Sequence, residues 1–160
     1  MIIFGAKYLI FIIVLLTLVA GWQLKGKKRW QFVAALVAAS ILAVVFSKSA
    51  GKIYYHPRPF VVQNIKPLIA HGADNGFPSE HTILAAILST IIYFYKRKWA
   101  TTAFVLTLLV GVGRVLAHVH SPIDILGGLV LGGLAGRIGY DVAKRLFPGG
   151  QQAAVDKQHH

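Results

Sequence analysis

Three short polar segments interrupt a chain that is otherwise apolar, and their residue types suit the transfer of a phosphoryl group. They span residues 52–59, 78–81 and 114–124, with the sequences KIYYHPRP, PSEH and RVLAHVHSPID. Arginine and lysine bind phosphoryl oxygens, histidine attacks phosphorus or moves a proton, and aspartate orients a histidine. We therefore predict that the three segments meet in one phosphate-transfer site at a membrane surface.

Arg58 and Arg114 are the strongest candidates for binding an anion. Either arginine alone is equally well explained as an anchor that keeps its charge in the headgroup layer. Two arginines beside histidines favour phosphate binding, because guanidinium donors match phosphoryl oxygens and offset the charge that develops during transfer. Lys52 would add a further charge, and an ordinary interfacial lysine is an equally good interpretation of it.

The second segment stands where a loop meets an apolar stretch, which predicts the start of a helix. Ser79 suits the N-cap position and Glu80 suits the positive end of the helix dipole, so capping alone accounts for both. A helix start also offers free backbone N–H groups and a serine hydroxyl to an anion. His81, in the first turn, would then be placed to protonate a leaving oxygen.

The third segment contains a second helix start. Ser121, Pro122 and Asp124 have the spacing of an N-cap, a proline at the first helical position and the acidic residue of a capping box. His120 directly precedes this cap. A carboxylate bonded to one of its ring nitrogens would fix the tautomer and leave the other nitrogen free to attack phosphorus, so Asp124 could both cap and orient.

Composition places these segments in a membrane protein. Of the 160 residues, 56% are hydrophobic, which leaves too few polar side chains to cover a soluble domain. The chain has no cysteine, so disulfides and thiolate metal sites are excluded. The net charge of +12 lies in short runs beside apolar stretches, which indicates contact with anionic lipid headgroups and not with nucleic acid.

The apolar stretches predict an all-α, polytopic membrane bundle of about five transmembrane helices, formed by residues 1–147. The first is interpreted as a retained helix and not a signal peptide, because no small-residue cleavage site follows it. Residues 148–160 are predicted to form a polar, disordered tail. The predicted spans are Tyr8 to Leu24, Trp30 to Phe46, Ser79 to Tyr95, Trp99 to Ala117 and Pro122 to Phe147.

A long loop, from about Ser47 to Pro78, is predicted between the second and third spans, and its prolines and glycines indicate a structured, turn-rich segment. Basic clusters at residues 25–29, 96–98 and 144–145 fall on one side of the membrane if the spans alternate. Positive charge marks the cytoplasmic side, so the three polar segments are predicted to share the extracytoplasmic face.

Taken together, the three segments resemble the signature of the type-2 phosphatidic acid phosphatase superfamily, K-x6-R-P, P-S-G-H and S-R-x5-H-x3-D. The order and spacing of the arginine, histidine and aspartate residues match. The resemblance implies hydrolysis of a lipid phosphate with no metal or other cofactor. It assigns His120 as the nucleophile that becomes a phosphohistidine, Asp124 as its orienting group and His81 as the general acid. The implied phosphate-binding residues are Arg58, Arg114, Ser79 and Lys52.

Three positions depart from this signature. The lysine position of the family falls on Gly51, so Lys52, or Lys48 about one helical turn earlier, would have to substitute. Gly113 replaces the serine before the arginine. Glu80 replaces the glycine of P-S-G-H and sets a carboxylate beside a predicted anion site, which requires a reason.

Segments 56–60 and 70–74, together with Glu80, resemble the bacitracin-resistance branch of that superfamily. The resemblance implies an undecaprenyl pyrophosphate phosphatase of the bacterial plasma membrane, acting in carrier-lipid recycling for cell-wall synthesis, with Glu80 as a substrate-specific residue. Phosphatidylglycerophosphate and phosphatidic acid are alternative substrates, because the motifs recognise the phosphoryl group and not the tail. A non-catalytic lipid-phosphate binder or transporter is the alternative from another class.

Two further groups of residues are interpreted structurally. Gly128, Gly132 and Gly136 repeat every four residues, which favours close helix packing within the protein or, in a homo-oligomer, between copies. Several loop residues could line the mouth of the site but are as well explained as hydrogen-bonded fixtures. These residues are His56, His71, Asp74 and His118, and His118 could share a helix face with Arg114.

Overall fold

The computed structural model describes residues 7–148, which form helices joined by short turns and one long loop. Residues 1–6 and almost all of the predicted polar tail, from residue 149 onward, lie outside that range. The only β-type pairing in the described part of the chain is an isolated bridge inside the loop. The helices are α1 (Leu9–Trp22), α2 (Gly26–Ile53), α3 (Pro59–Val62), α4 (Glu80–Tyr95), α5 (Arg97–Leu116) and α6 (Pro122–Leu146).

The predicted all-α membrane bundle is confirmed. Helices α2, α5 and α6 are long and apolar enough to cross a bilayer, while α1 and α4 are apolar but shorter, with 14 and 16 residues. Large apolar side chains such as Phe11, Ile41 and Leu126 are more than half exposed. Such an outer surface suits lipid and not water, as expected of a multi-pass membrane protein.

The predicted end of the second span was wrong. We expected that helix to stop at Phe46, because the polar stretch from Ser47 onward looked like loop. Helix α2 instead continues to Ile53. Its last turn carries Lys52, whose positive charge suits the negative end of the helix dipole, and Lys48 lies one turn earlier. The polar stretch is therefore helix that extends to the site.

The interior of the bundle is built from small residues that let the helices approach closely. Ala35, Ala39 and Ala135 are fully buried beside Ile87 of α4. On α6 the glycine repeat faces α4, and a Cβ at Gly132 would lie 2.5 Å from the carbonyl oxygen of Ile83. The expectation of close packing within the protein is thus confirmed, and the repeat no longer argues for contact between copies.

The basic clusters lie together at one end of the bundle. Lys96 Nζ donates to Gln23 Oε1 at 2.9 Å, which joins the turn between α4 and α5 to the turn between α1 and α2. Gln31 Nε2 donates to the Phe147 carbonyl at 3.2 Å, which joins the start of α2 to the end of α6. The long loop and the three polar segments lie at the opposite end.

The close approach of α4 and α6 makes a direct test possible with a single methyl group. Gly132→Ala forces its Cβ against the backbone of α4, and we expect this overpacking to cost about 1 to 3 kcal/mol of stability. The measurement is the apparent Tm in detergent by tryptophan fluorescence. Gly133→Ala is the matched control, because a Cβ there meets nothing within 4 Å. Equal Tm values for the two variants would contradict the packing described here.

Candidate active site

The long loop is fastened to the end of α2 by Asn75. Its Oδ1 accepts from the backbone N–H groups of His56 at 2.9 Å and Phe77 at 3.0 Å. Its Nδ2 donates to the carbonyls of Gly51 at 2.9 Å and Tyr54 at 3.1 Å. The Asn75 side chain thus satisfies four backbone groups, and it fixes the beginning and the end of the loop relative to α2.

The turn after α5 returns the chain to the site. The Val119 N–H donates to the Arg114 carbonyl at 3.3 Å and the His118 N–H to the Val115 carbonyl at 2.9 Å, the pattern of a Schellman motif. His118 occupies the left-handed position with φ 60°. It lies beyond the helix and is exposed, so the expectation that it shares a helix face with Arg114 was wrong. The turn places His120 beside the loop.

His120 is buried and its tautomer follows from its neighbours. Its Nδ1 lies 2.9 Å from the carbonyl oxygen of Gly76. A carbonyl only accepts, so Nδ1 carries the proton and Nε2 carries the lone pair. Nε2 lies 3.3 Å from Nη1 of Arg58, which donates to it. The expected bond from Asp124 is longer, with 3.5 Å between Oδ2 and Nδ1, and the backbone carbonyl is therefore the main orienting group.

Asp124 is fully buried behind His120 and is held by other partners. The predicted capping box is present, because Oδ2 accepts from the Ser121 N–H at 2.7 Å and the Ser121 hydroxyl accepts from the Asp124 N–H. Its Oδ1 lies 3.0 Å from Nδ1 of His56, which donates to it. The sequence suggested His56 as a residue of the mouth or a hydrogen-bonded fixture, and did not name Asp124 as its partner. The signal was its position two residues from Arg58 in extended chain, where alternate side chains share a face.

The two arginines predicted to bind phosphate are both buried. Arg58 Nε donates to Asp74 Oδ1 at 2.8 Å, and its Nη1 donates to the Val119 carbonyl at 2.9 Å. The hydrogen bond from Arg58 holds the pKa of Asp74 below its usual range. These partners fix the guanidinium of Arg58 at the base of the site, and Arg114 lies there from the last turn of α5.

A cavity of about 360 Å³ lies over these groups. Most of the predicted site residues line it, as do Lys48, His71 and Asp74, whereas Asp124 lies behind its wall. Ser79 is fully buried and does not line it: Ser79 occupies the predicted N-cap position of α4, but its side chain makes no capping hydrogen bond and its hydroxyl accepts from the Thr82 hydroxyl at 3.0 Å. The predicted residues on the wall are Lys52, Arg58, Glu80, His81, Arg114 and His120.

The electrostatics of the cavity favour a neutral His120. Burial lowers the pKa of His120 below its ordinary value, and the charges of Arg58 and Arg114 act in the same direction. Burial also lowers the pKa of His71, whose ring lies 5.9 Å from that of His120, to about 4. At neutral pH both rings are uncharged, so the arginines provide positive charge while His120 keeps its lone pair.

A helical membrane bundle with a histidine and two buried arginines around one cavity defines a class of membrane protein with an anion site. The chain belongs to the PAP2 superfamily, whose model matches residues 29–148. That match confirms the resemblance seen in the three polar segments.

Curated relatives place the chain nearer to one branch. It is 32% identical over 144 residues to the bacitracin transport permease protein BcrC of Bacillus licheniformis, covering 89% of this chain and 70% of that protein. It is 32% identical over 133 residues to the undecaprenyl-diphosphatase BcrC of Bacillus subtilis, covering 83% and 69%. The resemblance to the bacitracin-resistance branch is thereby confirmed.

Two solved structures share the fold. The crystal structure of Aquifex aeolicus LpxE has a TM-score of 0.60 and 22% identity, covering 88% of this chain and 81% of that one. A PAP2-type phosphatidylglycerolphosphate phosphatase from Bacillus subtilis has a TM-score of 0.58 and 23% identity, covering 90% and 73%. At these identities the likeness is one of fold alone.

The position of Gly76 gives a test of the site geometry. A Cβ at Gly76 would lie 3.0 Å from Oδ2 of Asp124 and 3.1 Å from the His56 carbonyl. We expect Gly76→Ala to shift the carbonyl that orients His120 and to lower kcat/KM for phosphate release about tenfold or more. Gly72→Ala is the matched loop control, because its Cβ meets only ordinary contacts with Asp74. Similar activity in both variants would contradict an orienting role for Gly76.

Proposed function

We propose that the protein is a membrane lipid phosphatase that hydrolyses undecaprenyl pyrophosphate to undecaprenyl phosphate and inorganic phosphate. The observation that carries the proposal is the state of His120: its Nδ1 proton is committed to Gly76, and its Nε2 lone pair lies beside Arg58 on the cavity wall. Attack on a phosphoryl group needs a neutral nitrogen beside positively charged side chains that are held in place, and His120 and the arginines provide this.

In the proposed first step, the terminal phosphoryl group binds between Arg58, Arg114 and Lys52. Arg58 exchanges its long contact with Nε2 for a phosphoryl oxygen. Nε2 of His120 then attacks phosphorus, and an N–P bond forms while the bond from phosphorus to the bridging oxygen breaks. The negative charge of the bound pyrophosphate favours the protonated form of His81, on the same wall, which gives its proton to that oxygen, and undecaprenyl phosphate leaves.

In the proposed second step, water attacks the phosphohistidine. His81, now neutral, accepts a proton from the water, the N–P bond breaks, and inorganic phosphate leaves with the starting state restored. Asp124 stabilises the positive charge that His120 acquires on phosphorylation, at 3.5 Å from Nδ1. Ser79 is left out of this scheme, because it is fully buried and does not line the cavity.

The proposed substrate rests on the relatives and on Glu80. A relative named undecaprenyl-diphosphatase is 32% identical over most of this chain, and Glu80 lines the cavity where the family signature has glycine. A glycerolipid phosphate, such as phosphatidylglycerophosphate or phosphatidic acid, is the alternative substrate. The name of the other relative, a transport permease, keeps a binder or transporter as the second class.

We also propose that the site faces the outside of the cell. The basic clusters lie at the end of the bundle opposite to the cavity, and clusters of lysine and arginine beside transmembrane helices favour the cytoplasmic side. An outward site would meet the lipid pyrophosphate that remains after the carrier has delivered its cargo.

Phosphate release by the purified protein tests the proposed reaction. With chelator present, we expect preference for undecaprenyl pyrophosphate over phosphatidic acid and phosphatidylglycerophosphate at matched detergent mole fraction. His120→Ala should lower kcat by a factor of about 10³ or more, because it removes the nucleophile. His118→Asn is the control, since His118 is exposed in the turn outside the cavity and asparagine tolerates its positive φ.

The results separate the alternatives. Preference for a glycerolipid would keep the reaction and change the substrate. Full activity of His120→Ala would exclude the phosphohistidine scheme, and binding without turnover of any lipid would support the binder.

The lowered pKa of His120 predicts the pH dependence of kcat/KM. Its ordinary value is 6.5, and burial keeps the folded protein's histidine neutral below that pH. As pH falls through 6.5, the attacking form persists, so we expect the acid limb to lie below pH 6.5. Titration of the substrate by ³¹P NMR in the same detergent separates its ionisation from that of the protein. An acid-limb midpoint above 6.5 assigned to the free protein would contradict this picture.

A further inference from the structure

An apolar groove of about 400 Å³ runs between α2 and α4 and joins the phosphate cavity. Three residues, Ser47, Lys48 and Glu80, line both spaces. The remaining lining is mostly apolar and comes from the same two helices, namely Ser40, Ala43 and Val44 of α2 and Ile83, Leu84 and Ile87 of α4. The polar cavity and this apolar groove therefore adjoin each other along Ser47, Lys48 and Glu80.

We infer that this α2–α4 groove holds the first part of the substrate's hydrocarbon chain, and that Lys48 binds the phosphate nearest to that chain. This inference rests on the proposed function, because it assumes that a lipid phosphate occupies the cavity. It assigns a binding site to the hydrocarbon chain, and it gives different roles to Lys48 and Lys52 at the end of α2.

The direction of the groove fits a lipid that enters from the bilayer. Lys48, Val44 and Ser40 are spaced by four residues and so follow one face of α2. Eight residues of helix span about 12 Å, which takes the groove from the site to the middle of α2. A chain attached to phosphate in the cavity would thus pass directly into the apolar layer.

Two other apolar grooves lack this connection. The groove between α5 and α6, of about 510 Å³, shares no lining residue with the phosphate cavity. The groove between α2 and α6, of about 540 Å³, shares only Phe77. The Phe77 ring packs edge-on against Tyr54 with centroids 5.0 Å apart, and a Cβ at Gly127 would strike it. An aromatic wall therefore separates that groove from the cavity.

The lysines differ in what they border. Lys52 lines only the phosphate cavity, whereas Lys48, one turn earlier, lines both the cavity and the groove. In a lipid pyrophosphate the second phosphate lies between the transferred phosphoryl group and the chain. Lys48, at the junction where the cavity and the groove adjoin, would bind this second phosphate, and the apolar wall of the groove would contact the hydrocarbon chain. Lys52 would then bind the terminal phosphate.

Chain-length selectivity tests the groove. Val44→Phe should obstruct it and lower the ratio of kcat/KM for undecaprenyl pyrophosphate to that for geranyl pyrophosphate about tenfold. Val112→Phe in the α5–α6 groove is the matched control, because the two valines are 54% and 53% exposed. Val130→Phe gives the same control in the α2–α6 groove. Both controls should keep the wild-type ratio.

Two results would overturn the assignment of the groove. One is an unchanged ratio of the two kcat/KM values in Val44→Phe, and the other is an equally large fall of this ratio in either control. If the wild type prefers glycerolipid phosphates, the proposed substrate fails, and long-acyl and short-acyl phosphates then test the groove with the same variants. If it turns over neither class, photo-crosslinking with a diazirine-bearing prenyl pyrophosphate decides. Label on the peptides of α2 and α4 supports the groove, and label confined to α5 and α6 overturns it.

Lys48→Gln tests the junction separately. It should lower kcat/KM for the prenyl pyrophosphate about tenfold more than for the corresponding monophosphate, because only the former has a second phosphate. Lys52→Gln should affect both substrates alike. An equal loss for both substrates in Lys48→Gln would overturn its assignment to the second phosphate.

Discussion

The hydrogen bond between Nδ1 of His120 and the carbonyl of Gly76 is the interaction on which the site depends. It fixes which ring nitrogen carries the proton, and it requires a loop backbone to lie within 2.9 Å of a residue far away in the chain. That approach is possible because Gly76 has no side chain to strike Asp124. It is maintained because Asn75 fastens the adjacent loop to the end of α2.

The buried charges are arranged around that bond. Arg58 is fixed by Asp74 and by the Val119 carbonyl, and Asp124 is fixed by Ser121 and His56. Each ion therefore has defined partners before a substrate arrives, and the cost of orienting the charged groups is met on folding. The bundle contributes close packing of α4 on α6, which holds the starts of these two helices together. Sequence-distant motifs meet because both helices begin at the same end.

Much of this arrangement could be predicted from the sequence. The five apolar segments gave the helices, and the spacing of Arg114, His120 and Asp124 gave the core of the site, because a capping box and a motif are local patterns. The end of α2 could not be predicted, because the polar stretch from Ser47 onward has the composition of a loop although the helix continues through it to Ile53. A contact between segments distant in the chain was also missed, that of His56 with Asp124, and so was the local bond from the Thr82 hydroxyl to the Ser79 hydroxyl.

The roles of the two lysines show the same limit. The sequence predicted Lys52 as the substitute for the family's lysine, with Lys48 about one helical turn earlier as the alternative, because the family's position falls on Gly51. Once α2 is seen to continue to Ile53, both lysines lie on one helix a turn apart, and they border different spaces. Their distinction depends on the helix and on the groove beside it, which no local pattern encodes.

The identity of the atom that carries the phosphoryl group during turnover decides whether His120 is the nucleophile. The purified protein would be quenched rapidly during turnover of undecaprenyl pyrophosphate, digested under basic conditions, and analysed by mass spectrometry and ³¹P NMR against both phosphohistidine isomers. We expect phosphate on Nε2 of His120, because Nδ1 donates to Gly76. Phosphate on Nδ1 or on another residue, or turnover without any covalent intermediate, would contradict this expectation.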